Sequence, residues 1–231
     1  MSEIFSRELG LIGQQGLDAL WGSKVAIFGL GGVGGTCFQA LVRSGVGNFL
    51  VVDGDVVEES NLNRQILFAS SDLGKPKVEV AERFAASISS PNIKAENKFL
   101  TPGNISDFGL GGYDLIIDCI DDLKAKVALS EFCLANGKKL LLSLGVGNRL
   151  DPSKVTYAKL SKTYNCPLGK RLREELRKRR LNLDKLTAVF STEPALLKSK
   201  TPSSSMMVPS SAGLLLSYLA VSYLLKKPAK V

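Results

Sequence analysis

The sequence predicts an α/β fold: a doubly wound, mostly parallel sheet with helices on both faces and a C-terminal extension. Three observations carry that expectation. Short apolar runs alternate with helix-patterned segments from residue 24 to residue 144, a glycine cluster follows the first run, and acids close later ones.

Residues 1–22 read as a mostly helical lead-in. Strand 24–29 (Val25-Ala-Ile-Phe) runs into Gly29-Leu-Gly31-Gly32-Val-Gly34 and a helix over 33–45. This strand–turn–helix junction makes the sheet Rossmann-like and presents helix N-terminal amides to an anion. Gly29 allows the turn, Gly31 and Gly32 let backbone approach a phosphate, and Gly34 lets the helix pack on the strand. Strand 48–53 ends at Asp53, about 20 residues past the glycines, where an acid holds a ribose hydroxyl. Helix 75–89, strands 93–99 and 114–119, helix 122–136 and strand 138–144 complete a core over 23–148. Residues 149–231 read as an extension of the same single domain, 1–231. It holds a strand at Val155–Lys159, a basic helix over 168–180 opened by Pro167, a Ser/Thr/Lys/Pro-rich loop over 191–211 and an apolar helix over 213–225.

Hydrophobic residues make up 45% of the 231, enough for a sizeable core, and the net charge of +8 suits nucleic acid or an anionic ligand. There is no histidine, which excludes histidine triads and imidazole acid–base catalysis. Cys37, Cys119, Cys133 and Cys166 form no C-x-x-C pair, so neither zinc nor a disulfide framework is expected. Cys166 alone has a polar, basic neighbourhood that favours a thiolate; the other three fall in apolar patterns. The apolar run Ala212–Leu225 falls short of the roughly 20 residues of a bilayer span, so no stable membrane insertion is expected. With no apolar signal segment at the start, the expected compartment is the cytoplasm.

Beside a nucleotide turn, Arg64 can reach a polyphosphate with its planar fork. Lys77, in the first turn of a helix, is a second phosphate partner, because a lysine at the positive end of a helix dipole implies an anion nearby. In Asp118-Cys-Ile-Asp121-Asp122, clustered acids either cap the following helix or hold magnesium on a phosphate, and both duties can coexist. Helix 168–180 sets Leu168, Leu172 and Leu176 on one face. Lys170, Arg171, Arg173, Arg177, Lys178, Arg179 and Arg180 occupy the remainder, as an RNA contact or an ordinary solvated face.

Gly29-Leu-Gly-Gly-Val-Gly34, Asp53-Gly-Asp55, Ser60-Asn-Leu-Asn-Arg-Gln65, Leu73-Gly-Lys-Pro-Lys77 and Asp118-Cys-Ile-Asp121 resemble, in order and spacing, the E1-like adenylating enzymes (the ThiF/MoeB/HesA group). The resemblance implies that Gly29, Gly31, Gly32, Gly34, Asp53, Ser60, Asn61, Asn63, Arg64, Lys77, Asp121 and Asp122 surround ATP, with Asp121 on Mg2+. It implies further that Arg7 enters the phosphate site of a neighbouring subunit, making the active form a homodimer. Leu144-Gly-Val-Gly147-Asn-Arg-Leu-Asp-Pro152, Lys162-Thr-Tyr-Asn-Cys-Pro167 and Val189-Phe-Ser-Thr-Glu193 look like the branch that cyclises threonylcarbamoyladenosine in tRNA. That branch implies an acyl-adenylate route and leaves open a sulfur-transfer or desulfurase partner. The alternative within the fold is adenylation of the C-terminus of a ubiquitin-like or sulfur-carrier protein, with Cys166 as a thioester nucleophile. A nicotinamide-dependent dehydrogenase would use the glycines and Asp53 but leave Arg64, Lys77 and Asp121 without a role.

Overall fold

The computed structural model describes residues 3–197 and 202–226. Residues 1–2, 198–201 and 227–231, including part of the expected 191–211 loop, lie outside them. Seven strands form one sheet: β1 (Lys24–Phe28), β2 (Asn48–Val52), β3 (Asn92–Glu96), β4 (Leu115–Asp118), β5 (Leu140–Ser143), β6 (Val155–Lys159) and β7 (Thr187–Ser191). Their order is β3-β2-β1-β4-β5-β7-β6, and every pairing is parallel except β6 with β7. The chain winds outward from β1 in one direction through β2 and β3, then returns to β4 on its other side. The carboxyl end of β1 is therefore the switch point where an open sheet of this kind leaves a crevice.

The central strands read as unbroken apolar runs because both faces are covered. Val25, Ile27, Phe49, Val51, Leu115 and Ile117 point to the face packed by α2 (Gly32–Arg43), α3 (Lys77–Ile88) and α6 (Met207–Leu224). Ala26, Phe28, Leu50, Ile116 and Leu142 point to the other face, covered by α4 (Leu123–Ala135) and α5 (Pro167–Lys178). The lead-in helix α1 (Ser6–Gly22) bends at Gly13, whose φ is +71°.

Two boundaries and one whole strand depart most from the sequence expectation. Strand β3 stops at Glu96, so residues 98–102 leave the sheet rather than extend it. Strand β7, which the sequence reading missed, inserts between β5 and β6. Its apolar stretch, Ala188-Val-Phe190, is too short to carry a period of two. Helix α6 starts at Met207 rather than at residue 213, since Pro209 lies in the first turn, where its missing N–H costs nothing. By length and composition α6 is apolar enough to cross a membrane. In this fold it lies against α2, with Val208, Ala212, Leu216 and Ala220 fully buried.

Gly34 sets the distance between α2 and the end of β1. A Cβ there would stand 1.8 Å from the Gly29 carbonyl oxygen. Gly34→Ala is expected to destabilise the fold by about 3 kcal/mol or more. Gly111→Ala, where no atom lies within 4 Å of the added carbon, should stay within about 0.5 kcal/mol. Urea denaturation of the two variants checks the contrast.

Candidate active site

The carboxyl ends of β1, β2 and β4 open on a cavity of about 720 Å³. The turn after β1 forms its floor. Gly29, at φ +88°, passes so close to the 119–120 backbone that a Cβ would lie 2.8 Å from the Cys119 carbonyl oxygen. Gly31, Gly32 and Val33 line the cavity, and the first amides of α2 have no acceptor within the helix, so they are available to an anion.

Asp53 holds this turn to the end of β2. One carboxylate oxygen accepts the Leu30 N–H at 2.6 Å and the other accepts the Asp55 N–H at 2.9 Å. Burial pushes its carboxyl above the ordinary value, while these two N–H groups and Lys77 oppose the rise. Each oxygen keeps a second acceptor site, and Asp53 is among the residues lining the cavity. Lys77, at the start of α3, is paired within the chain: its Nζ lies 2.9 Å from Asp55, with the lysine buried and the acid half exposed. The anion beside the helix start here is therefore a protein carboxylate rather than a phosphate.

Arg64 lines the cavity and is braced by its own turn, donating to the Ser60 carbonyl and to Asn63 Oδ1. Asn61 also lines it, accepting the Glu58 N–H at 3.2 Å. Ser60 and Asn63 do not reach the wall; Ser60 hydrogen-bonds Glu58, and Asn63 donates to the Ser204 carbonyl. Gly34 is likewise outside the wall and acts through packing. Arg7 is exposed on α1 and takes no part in this chain's own cavity.

The acids after β4 divide their duties. Asp118 is fully buried and turned away from the cavity, 2.9 Å from the equally buried Lys126. Burial pushes its carboxyl up, and the Lys126 ammonium and the Ile120 N–H pull it partly back. Asp122 caps α4 by accepting the Ala125 N–H at 2.8 Å. Asp121 lines the cavity, is exposed, and makes no hydrogen bond or ion pair among the described residues. It is the carboxylate left for a ligand.

The structure adds residues that the sequence did not single out. Lys98, Phe99, Thr101 and Pro102 form one wall, because β3 ends early and sends them over the crevice. The Phe99 ring lies against Gly54. Gln65 is buried at the wall, and its Oε1 lacks a partner among the described residues, a polar atom that a ligand donor would satisfy. Cys119 also borders the cavity, with burial pushing its thiol up to about 12, far from a thiolate.

The model of the ThiF family matches residues 5–217. The chain belongs to the ThiF family. It is 36% identical to the tRNA threonylcarbamoyladenosine dehydratase of Bacillus subtilis, over 96% of this chain and 94% of that protein. Among solved structures it is similar to Escherichia coli tRNA N6-threonylcarbamoyladenosine dehydratase in complex with AMP. That match has a TM-score of 0.91 and 29% identity, covering 97% of this chain and 94% of the other. The ATP complex of the same E. coli protein superposes equally, with a TM-score of 0.91 at 28% identity and the same coverage.

In this ThiF-family chain, α5 packs through buried Leu172 and Leu176, with Leu168 partly covered. Lys170, Arg171, Arg177, Lys178, Arg179 and Arg180 are exposed, whereas Arg173 is half-buried and donates to Thr163 Oγ1 at 2.6 Å. Lys178 and Arg179 are both paired with Glu175. Cys166 is buried, and its sulfur caps α5 by accepting the Gly169 N–H at 3.3 Å. That packing counts against the alternative in which Cys166 is an exposed thioester nucleophile.

The Asp118–Lys126 pair underlies the turn that carries Asp121. Lys126→Met leaves a buried carboxylate without its cation, at an expected cost of about 3–5 kcal/mol. Combining it with Asp118→Leu should recover most of the loss, read by denaturant midpoints of the single and double variants.

Proposed function

We propose that the protein is an ATP-dependent tRNA threonylcarbamoyladenosine dehydratase that works through an acyl-adenylate. The observation that carries this reading is the unpartnered Asp121 facing the glycine turn, Arg64 and Lys77 across one cavity, in a chain matched nearly end to end by a dehydratase of that name.

The chemistry follows from the substrate. A carboxylate is a poor electrophile because oxide is its leaving group. Attack of a threonyl carboxylate oxygen on the α-phosphorus of ATP forms a mixed anhydride and expels pyrophosphate. Attack of the nearby carbamoyl group on the acyl carbon then closes the ring and expels AMP, which leaves with one carboxylate oxygen; the net change is loss of one water. Ring closure is intramolecular, so fixed geometry supplies much of the rate, and no enzyme nucleophile is required. The α2 amides, Arg64 and Lys77 are placed to offset charge on the phosphates, and Asp53 and Asn61 to hold the nucleoside.

Magnesium fits this donor set. It takes one or two carboxylates and completes its shell with substrate phosphates and water. Asp121 supplies such a carboxylate, while no group of three acidic or cysteine ligands stands together among the described residues. Bound there, magnesium would neutralise charge on the departing pyrophosphate.

The same reading makes the protein a homodimer that acts in the cytoplasm as one domain, 1–231. Exposed Ile4 and Leu11 at the N-terminal helical segment, with Leu214 and Tyr218 on the adjacent α6, support an apolar subunit interface that would bring Arg7 to the partner's phosphates. tRNA is the partner for the exposed cations of α5. A desulfurase has no step here, since the sequence of bond changes is complete without sulfur. Activation of a carrier protein through a Cys166 thioester is disfavoured by the burial of that sulfur.

Incubated with ATP, magnesium and tRNA bearing threonylcarbamoyladenosine, the protein should yield a nucleoside lighter by one water, with AMP formed. Asp121→Ala should lower this rate about 100-fold or more. Nucleoside mass spectrometry checks both; ATP binding without water loss would instead direct attention to pyrophosphate exchange with carrier-protein C-termini.

A further inference from the structure

A second cavity, about 710 Å³ in volume, lies between α4 and α5. It meets the first at Pro102, Asp121, Asp122 and Lys124, which line both. The junction therefore falls at the carboxylate left for the phosphate site. The apolar part of its wall is formed by Leu123, Val127 and Ala128 of α4 and by Leu168 of α5, with charged side chains around it.

The charges around it are mostly committed. Glu175 and Glu131 both pair with Arg179, at 3.0 and 3.6 Å, and Asp122 caps α4. Lys124 and Arg171 are exposed cations with no hydrogen bond or ion pair among the described residues. One sits at the junction and the other on the α5 side. An apolar wall between two free cations suits a flat base carrying an anion at each end: an attached carboxylate on one side and a backbone phosphate on the other.

We propose that this second cavity seats the modified adenine, turned out of the RNA stack. Lys124 holds the threonyl carboxylate at the junction, and Arg171 takes an adjacent phosphate. The assignment rests on the dehydratase reading and adds to it where the base, the carboxylate and the strand are held. The carboxylate is tethered to the base by only a few bonds. When ATP fills the first cavity, the base must wait immediately beside it, and the shared junction is where that is possible. Lys124 acts by positioning and by lowering the charge repulsion between a carboxylate and the α-phosphate. It takes no proton and forms no bond.

The test compares wild type with Lys124→Met, Lys124→Arg and Arg171→Ala, measuring steady-state dehydration of the tRNA and equilibrium binding of ATP. Arg171→Ala should raise the KM for tRNA about tenfold and reduce the slope of log KM against log salt by about one, as loss of one phosphate contact requires. Lys124→Met should lower kcat/KM for tRNA about tenfold or more, with Lys124→Arg restoring most of it. ATP affinity should stay within about twofold in Arg171→Ala, because Arg171 lines the second cavity and not the first. Wild-type turnover alongside unchanged tRNA kinetics in both Lys124→Met and Arg171→Ala overturns the seat. A wild type that binds ATP yet dehydrates no tRNA overturns the dehydratase reading itself.

Discussion

The close approach of three backbone segments at the end of β1 is the constraint on which the site depends. The Gly29 turn, the first turn of α2 and the 119–120 segment after β4 pass one another with no room for side-chain carbons at Gly29 or Gly34. That contact places the α2 amides over the sheet and brings the Asp121 loop across from them. Asp53 completes the clamp, since one carboxylate joins the Leu30 amide to the loop after β2. Three loops distant in sequence are thereby held as one surface, which is what phosphate chemistry by positioning needs.

A second theme is the separation of acids by environment. Asp53 is spent largely on backbone N–H groups, Asp55 on Lys77, Asp118 on Lys126 and Asp122 on the α4 cap. Each has a partner within the fold, with only Asp118 Oδ2 left without one. Of the exposed acids at the cavity, Asp55, Asp121 and Asp122, Asp121 is the one with no partner among the described residues. A buried pair such as Asp118–Lys126 adds little net stability over an apolar pair of similar size. Its Oδ1 also accepts the Ile120 N–H at 3.0 Å, which fixes the turn leading to Asp121.

Much of this was legible in the sequence because it rests on local rules. The glycine spacing, the apolar runs buried on both faces and the acids at strand ends each follow from the conformation of a few neighbouring residues. The wall formed by Lys98–Pro102 was not legible, because nothing in Lys98-Phe-Leu-Thr-Pro says that β3 stops at Glu96. Strand β7 was hidden for a related reason: it gains its place by pairing with β5 and β6, not by its own pattern. Cys166 has basic neighbours in sequence, yet Lys170 and Arg171 are exposed on α5 while the sulfur turns in to cap it, which the sequence alone does not reveal. The division of labour between Asp118, Asp121 and Asp122 likewise needed Lys126, one turn into α4, to be seen facing Asp118.

The central claim is that a substrate carboxylate attacks the α-phosphorus of ATP in the first cavity. Oxygen tracing tests it most directly. Threonylcarbamoyladenosine in tRNA would be labelled with oxygen-18 in both carboxylate oxygens and turned over with unlabelled ATP. The account predicts one labelled oxygen in the AMP released and none in pyrophosphate. Label recovered in inorganic phosphate, or AMP formed without label while the nucleoside loses water, would contradict it.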